Sequence, residues 1–139
     1  MKSYKGSCGC GAIQYAFTGE PINSVFCYCK ECQVRTGSDK WFGLWVPKDQ
    51  LTFTKGSPAS FTRPGDSGQA MHHLFCGECG TNLCVEVTVA DFYSVAAPTI
   101  RGNQQLSPKM AIYTASAPDW AVFPEGVPKF DILPPGLGD

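Results

Sequence analysis

No apolar run in the 139 residues approaches the ~18 needed to cross a bilayer, so the sequence offers no membrane-spanning helix. Charge is scarce too. Asp, Glu, Lys and Arg make up 17% of the chain against ~25% in an average soluble protein, and eleven basic residues nearly cancel twelve acidic ones. The resulting formal charge of -1 and pI near 6.1 remove the electrostatic footprint of a nucleic-acid binder. Met1-Lys2-Ser3-Tyr4-Lys5-Gly6 runs straight into a cysteine pair with no apolar stretch behind its charges, which is not the pattern of a secretory signal. A cytoplasmic protein is therefore expected, and in that reducing setting cysteines point to metal or catalysis more than to disulfides. Also missing are internal repeats, low-complexity tracts, a dividing linker, a glycine-rich phosphate loop and a Ser-His-Asp arrangement.

What the chain has in plenty is punctuation. Fifteen glycines and eleven prolines leave little room for long helices, while 43% apolar residues suffice for one packed core. A single domain over residues 1–139 is expected, mainly β. Ile13, Tyr15 and Phe17 alternate with polar or small neighbours up to the Gly19-Glu20-Pro21 break, which marks a half-buried strand. Further short strands are expected at residues 41–46, 59–62, 70–75, 83–89, 92–97 and 109–114. Residues 30–35 predict the one good helix, with Gly37 as its C-terminal cap. The proline-rich segment 115–139 reads as an extended wrap anchored by Trp120, Phe123 and Phe130.

The eight cysteines set the functional question. They fall as Cys8-x-Cys10, Cys27-x-Cys29-x-x-Cys32, Cys76-x-x-Cys79 and a solitary Cys84. That grouping divides into two sets of four, or into a four, a three and a spare; either way two metals are implied. Tetrahedral zinc with Zn–S near 2.3 Å sets its sulfurs about 3.8 Å apart, a separation that x-x spacing on a tight turn reaches easily. Cys76-Gly77-Glu78-Cys79-Gly80 has the form of a zinc knuckle, in which the last glycine lets the backbone turn its amides toward sulfur. In Cys8-x-Cys10, Gly9 and Gly11 relieve the constraint that a strand would place on the pair. A disulfide framework is the plainer reading of so many cysteines, but the chain is long enough to build its own core. The spacing matches neither ferredoxin pattern.

With these residues in view, the chain resembles the glutathione-dependent formaldehyde-activating enzyme family, also called the centromere protein V/Gfa family. The resemblance runs from Gly6-Ser7-Cys8-Gly9-Cys10-Gly11-Ala12-Ile13 through Thr18-Gly19-Glu20-Pro21 and Cys27-Tyr28-Cys29-Lys30-Glu31-Cys32-Gln33 to Thr36-Gly37-Ser38. It continues at Phe75-Cys76-Gly77-Glu78-Cys79-Gly80-Thr81 and, more loosely, at Ile112-Tyr113, Trp120 and Val127-Pro128-Lys129-Phe130. It implies the Mss4-like β-tent fold and a division of labour between two zinc ions. Cys8, Cys10, Cys76 and Cys79 would hold a structural zinc. Cys27, Cys29 and Cys32 would hold a catalytic, more labile one, open to water or a substrate thiol. The implied activity is carbon–sulfur lyase chemistry on an adduct of glutathione, or another thiol, with formaldehyde or a related small carbonyl. The contrasting possibility is a non-catalytic zinc module of the same fold, with Cys84 closing the second site; otherwise Cys84 is a buried strand cysteine.

Lys30, Arg35 and Lys40 are candidates to meet the carboxylates of a glutathione-like ligand, or are ordinary solvated charge. His72 and His73 would point to opposite faces of one strand, and one of them could support a zinc sulfur or act as a base. Thr36 and Ser38 could orient a ligand or cap the helix. Trp41 and Trp45, sharing a strand face, could floor a pocket or simply fill the core.

Overall fold

A computed structural model describes residues 2–102 and 106–136. In chain order the elements are β1 (Ser3–Ser7), β2 (Gln14–Thr18), β3 (Asn23–Cys27), the helix α1 (Lys30–Thr36), β4 (Trp41–Pro47) and β5 (Leu51–Lys55). They continue with β6 (Ala59–Pro64), β7 (Ala70–Phe75), β8 (Asn82–Val87), β9 (Phe92–Ala96) and β10 (Met110–Ile112). Among the described residues the fold is thus mainly β with one α-helix, and no helix is long and apolar enough to cross a membrane.

The strands form a three-stranded sheet ordered β1-β2-β5 and a seven-stranded sheet ordered β10-β3-β4-β9-β8-β7-β6. Pairing is antiparallel except for β10, which runs parallel to β3. Alternation along β4 decides the layering: Leu44 and Val46 face one way, Trp41 and Trp45 the other. Leu44, Val46, Cys84 and Val95 of the large sheet pack on Tyr4, Tyr15, Phe17 and Leu51 of the small one. Each such fully buried side chain contributes roughly 1.5–3 kcal/mol through removal from water. On the opposite face, Trp41, Val85 and Ala96 pack with Cys27, Cys32, Met71 and Val87 beside α1.

Helix α1 buries none of its residues completely, so its place is fixed by ends and side-chain bonds rather than by an apolar stripe. Cys29 caps its N-terminus, and Gly37, at φ 68°, caps the other end by donating to Gln33 O at 2.8 Å, as the sequence predicts. Gln33 Nε2 donates to Tyr28 O and Ser116 O, and Asn82 Nδ2 donates to Arg35 O at 2.7 Å.

The strands expected from periodicity are found with shifts of a residue or two at most ends, the last shrinking to Met110–Ile112. Strands β1, β3 and β5 were not predicted. β1 has a single large apolar side chain, Tyr4, and its inward Gly6 lies under the Tyr15 ring: a Cβ there would stand 2.0 Å from Tyr15 Cζ. The tail does wrap the sheet, since Ala111 donates to Pro128 O and Phe130 to Ala111 O, both at 2.9 Å. Phe130 packs on Val25, Met110 and Ile112, and Phe123 meets Tyr28 edge-on at 4.8 Å. Trp120 corrects the expectation: it lies in a turn, 66% exposed, outside the buried hydrophobic clusters. Residues 137–139 of that expected wrap lie outside the described residues.

Candidate metal centre

Two groups of cysteine sulfurs converge, each with all its Sγ atoms within 4.8 Å of one another. The first comprises Cys8, Cys10, Cys76 and Cys79. Cys8 follows β1 and Cys76 follows β7, so this cluster joins the two sheets at their ends. Two tight turns build it. Cys8 donates to Ile13 O at 3.0 Å and Gly11 to Cys8 O at 3.2 Å; in the second turn Cys76 donates to Thr81 O at 3.0 Å and Gly80 to Cys76 O at 2.8 Å. Gly11 (φ 81°) and Gly80 (φ 80°) take left-handed positions that L side chains resist. Amides then point at sulfur: Ile13 N at 3.3 Å from Cys8 Sγ, Glu78 N and Cys79 N each at 3.4 Å from Cys76 Sγ.

The Cys8–Cys10 and Cys10–Cys76 sulfur separations are 3.7 and 3.8 Å. They match the edge of a zinc–thiolate tetrahedron, about 3.8 Å, and are far beyond the ~2.05 Å of a disulfide. All eight cysteines are free thiols. An all-sulfur, amide-bonded donor set of this size fits a thiophilic ion such as zinc.

The second group comprises Cys27, Cys29 and Cys32, all partly exposed. Cys27 ends β3, in parallel register with Ile112; Cys29 is the N-cap of α1; Cys32 lies in its first turn. Among the described residues no fourth cysteine, histidine, aspartate or glutamate joins the three. Cys84 sits 3% exposed in the core between the sheets, with Tyr4, Tyr15 and Val95, on the face away from Trp41 and α1. Burial pushes its thiol above the ordinary range.

A family model for the glutathione-dependent formaldehyde-activating enzyme matches residues 3–116. That span contains both cysteine clusters. The chain belongs to this family. No curated protein matches it. A solved structure of a Rhodobacter sphaeroides protein is similar at 21% identity, with a TM-score of 0.56 and coverage of 72% of this chain and 90% of that one. That likeness supports the fold alone.

In this member of the glutathione-dependent formaldehyde-activating enzyme family, the two sheet edges bend around the open cluster. From the β6 side, Arg63 lies 3.5 Å from Glu31 of α1 and donates from Nε to His73 Nε2 at 2.9 Å. Arg35 shares Glu31 at 3.2 Å, and its guanidinium lies 4.5 Å from the centre of the Phe61 ring. From the β10 side, Tyr113 donates its hydroxyl to Asp66 Oδ2 at 2.5 Å. The three cysteines share protons: sulfur hydrogen bonds from Cys27 and then Cys32 hold the Cys29 thiol low, and the bond with Cys29 pushes Cys27 up. His73 is held down at about 4 by burial first and then by Arg63 and Arg35, so it is neutral and accepts the Arg63 bond. Burial and then Asp66 push the Tyr113 hydroxyl up.

Several residues singled out in the sequence are otherwise engaged. Lys40 pairs with the buried Asp39 at 3.0 Å and lies over the Phe26 ring; Ser38 also bonds Asp39. Thr36 bonds Cys32 O inside the helix, and Lys30 is exposed at its start. The two histidines do face opposite ways: His72 bonds Thr62, while His73 faces Arg63. Trp41 is core beside Cys27 and Cys32, and Trp45 stacks on Phe92. Sequence reasoning missed Arg63, Asp66 and Glu31 as neighbours of the cluster, and Tyr113 was marked only as a loose family match. For Arg63 and Asp66 the one signal in the sequence is the charged stretch Arg63-Pro64-Gly65-Asp66 that closes the strand expected at 59–62.

Proposed function

We propose that this chain is a zinc-dependent enzyme of carbon–sulfur lyase type, which makes and breaks the adduct of glutathione or a similar small thiol with formaldehyde or a related small carbonyl. One observation carries the reading: three convergent, partly exposed sulfurs with no fourth protein ligand among the described residues. In this reading Cys8, Cys10, Cys76 and Cys79 hold a structural ion, and Cys27, Cys29 and Cys32 hold the catalytic one. Four thiolates close a zinc site, whereas three leave it a position for chemistry. Bound there, zinc would supply a Lewis acid that favours thiolate over thiol near neutral pH.

The reaction itself balances simply. The thiol sulfur adds to the carbonyl carbon, the C=O π pair moves to oxygen, and oxygen takes up the proton that the thiol gave up; the reverse breaks the C–S bond and restores the carbonyl. The chain's own part is orientation and charge. The Cys32 amide and the turn before α1 fix the sulfurs, and Trp41 closes their inner side. Arg35 and Arg63 share the single carboxylate of Glu31, so these three side chains sum to one positive charge beside the helix that Cys29 caps. A non-catalytic module would need the second cluster closed, and Cys84 lies on the wrong face to do it.

Exchange NMR of a glutathione–formaldehyde mixture tests the reading. Zinc-loaded wild type is expected to accelerate interconversion of adduct and free thiol, and Cys29→Ser and Cys32→Ser to abolish that acceleration. Interconversion no faster with the wild type than without protein would overturn it.

A further inference from the structure

β6 and β10 are the two outer edges of the seven-stranded sheet, yet side chains just past their ends meet. Asp66, in the turn between β6 and β7, accepts the Tyr113 hydroxyl at 2.5 Å, and Tyr113 follows the strand whose Ile112 is in register with Cys27. The bond therefore spans the curl of the sheet from the Cys27 side to the side where Arg63 touches Glu31 of α1. Cys27 of the open cluster ends the strand next to β10, and Glu31, which Arg63 touches, belongs to the helix that Cys29 caps. Among the described residues it is the one side-chain hydrogen bond linking the 64–69 turn to the segment after β10.

Two features mark it as more than a sheet staple. Tyr113 has φ 55° and ψ 34°, a left-handed conformation that is uncommon for a bulky non-glycine residue and that clusters at functional sites. Asp66 is exposed, in a turn that contributes no large apolar side chain to the core, so little besides this bond holds the tip down.

We propose that Asp66 and Tyr113 form a latch across the mouth of the Cys27–Cys29–Cys32 cluster and so determine which small thiols reach it. The substrate class rests on the proposed lyase function; the latch itself does not. A thiol enters when the tip lifts, and a bulky one requires the bond to break, whereas a narrow one passes beneath it. Opening exchanges one protein hydrogen bond for bonds to water, a modest change well suited to a gate.

Chelator competition tests it on protein loaded with two zinc equivalents, reading the release of each ion with a chromophoric chelator. Asp66→Asn and Tyr113→Phe are each expected to speed release of the first ion at least fivefold, the double variant to do no more than the stronger single one, and the second ion to leave at the wild-type rate. The unchanged second ion also reports that the variants are folded. First-ion rates within twofold of wild type in both single variants, additive effects in the double variant, or equal acceleration of both ions would overturn the latch. Failure to load a second ion would overturn the latch and the lyase reading together. Because the readout needs no thiol and no turnover, a protein that behaves as expected here but fails the exchange experiment loses only the lyase reading.

Discussion

The backbone amide of Cys32 donates to the Cys29 sulfur at 3.3 Å, so the residue that caps α1 is also one of the three sulfurs of the open cluster. Helix and cluster are therefore coupled. With no completely buried residue of its own, α1 relies on that cap together with the Gly37 cap and the Gln33 and Asn82 bonds.

Replacing the cap tests that coupling. A cap is worth about 1 kcal/mol, a factor of about five in local opening. Amide exchange over residues 30–36 is expected to be fastest in Cys29→Ala and about fivefold slower in Cys29→Ser, which keeps a capping oxygen. Cys79→Ser, in the other cluster, leaves exchange in α1 as in the wild type. Equal exchange in all three variants would remove the coupling.

Gly43 is required by Trp41. A Cβ at Gly43 would lie 2.2 Å from Ser94 Oγ and 2.7 Å from Trp41 Nε1, two atoms that bond each other at 3.0 Å. Gly43→Ala is expected to cost about 2 kcal/mol through overpacking, read as a lower melting temperature. Gly77→Ala, where the nearest atom is 3.7 Å away, is the matched control and should melt close to wild type.

The cysteine grouping and the short helix were legible because both are local: spacings of two and three residues on tight turns, and a glycine just past Thr36, constrain geometry within a few residues. The sequence left open which cysteines share an ion. Strand alternation then turns Cys84 toward Tyr15 and Val95 and away from α1, which leaves Cys27, Cys29 and Cys32 as a group of three. Arg63, Asp66 and Tyr113 were not legible as a group, because only the curl of a seven-stranded sheet brings its first and last strands together. Strand β1 escaped notice for another reason: its inward positions are Tyr4 and Gly6, and the apolar surface over Gly6 comes from Tyr15.

Stability should depend on pH through His73. An unfolded chain protonates this histidine near 6.5, whereas burial, Arg63 and Arg35 hold it down to about 4 in the fold, with Glu31 and Cys29 opposing weakly. The unfolded state therefore binds the extra proton first as pH falls. The stability present above 6.5 declines between 6.5 and about 4 and levels off below. The decline is on the order of 3 kcal/mol, His73 being buried. Urea denaturation across this range should show a steeper loss in the wild type than in His73→Gln, which keeps an acceptor for Arg63; parallel curves would contradict the assignment.

Metal analysis of the purified protein reaches the centre of the account, a cluster of three sulfurs that is separate from the cluster of four and left incomplete by the chain itself. The expected counts are two zinc ions for the wild type, one for Cys29→Ser and two for Cys84→Ala. A Cys84→Ala protein that keeps one ion where the wild type keeps two would make Cys84 the missing ligand and leave the proposed chemistry without a site.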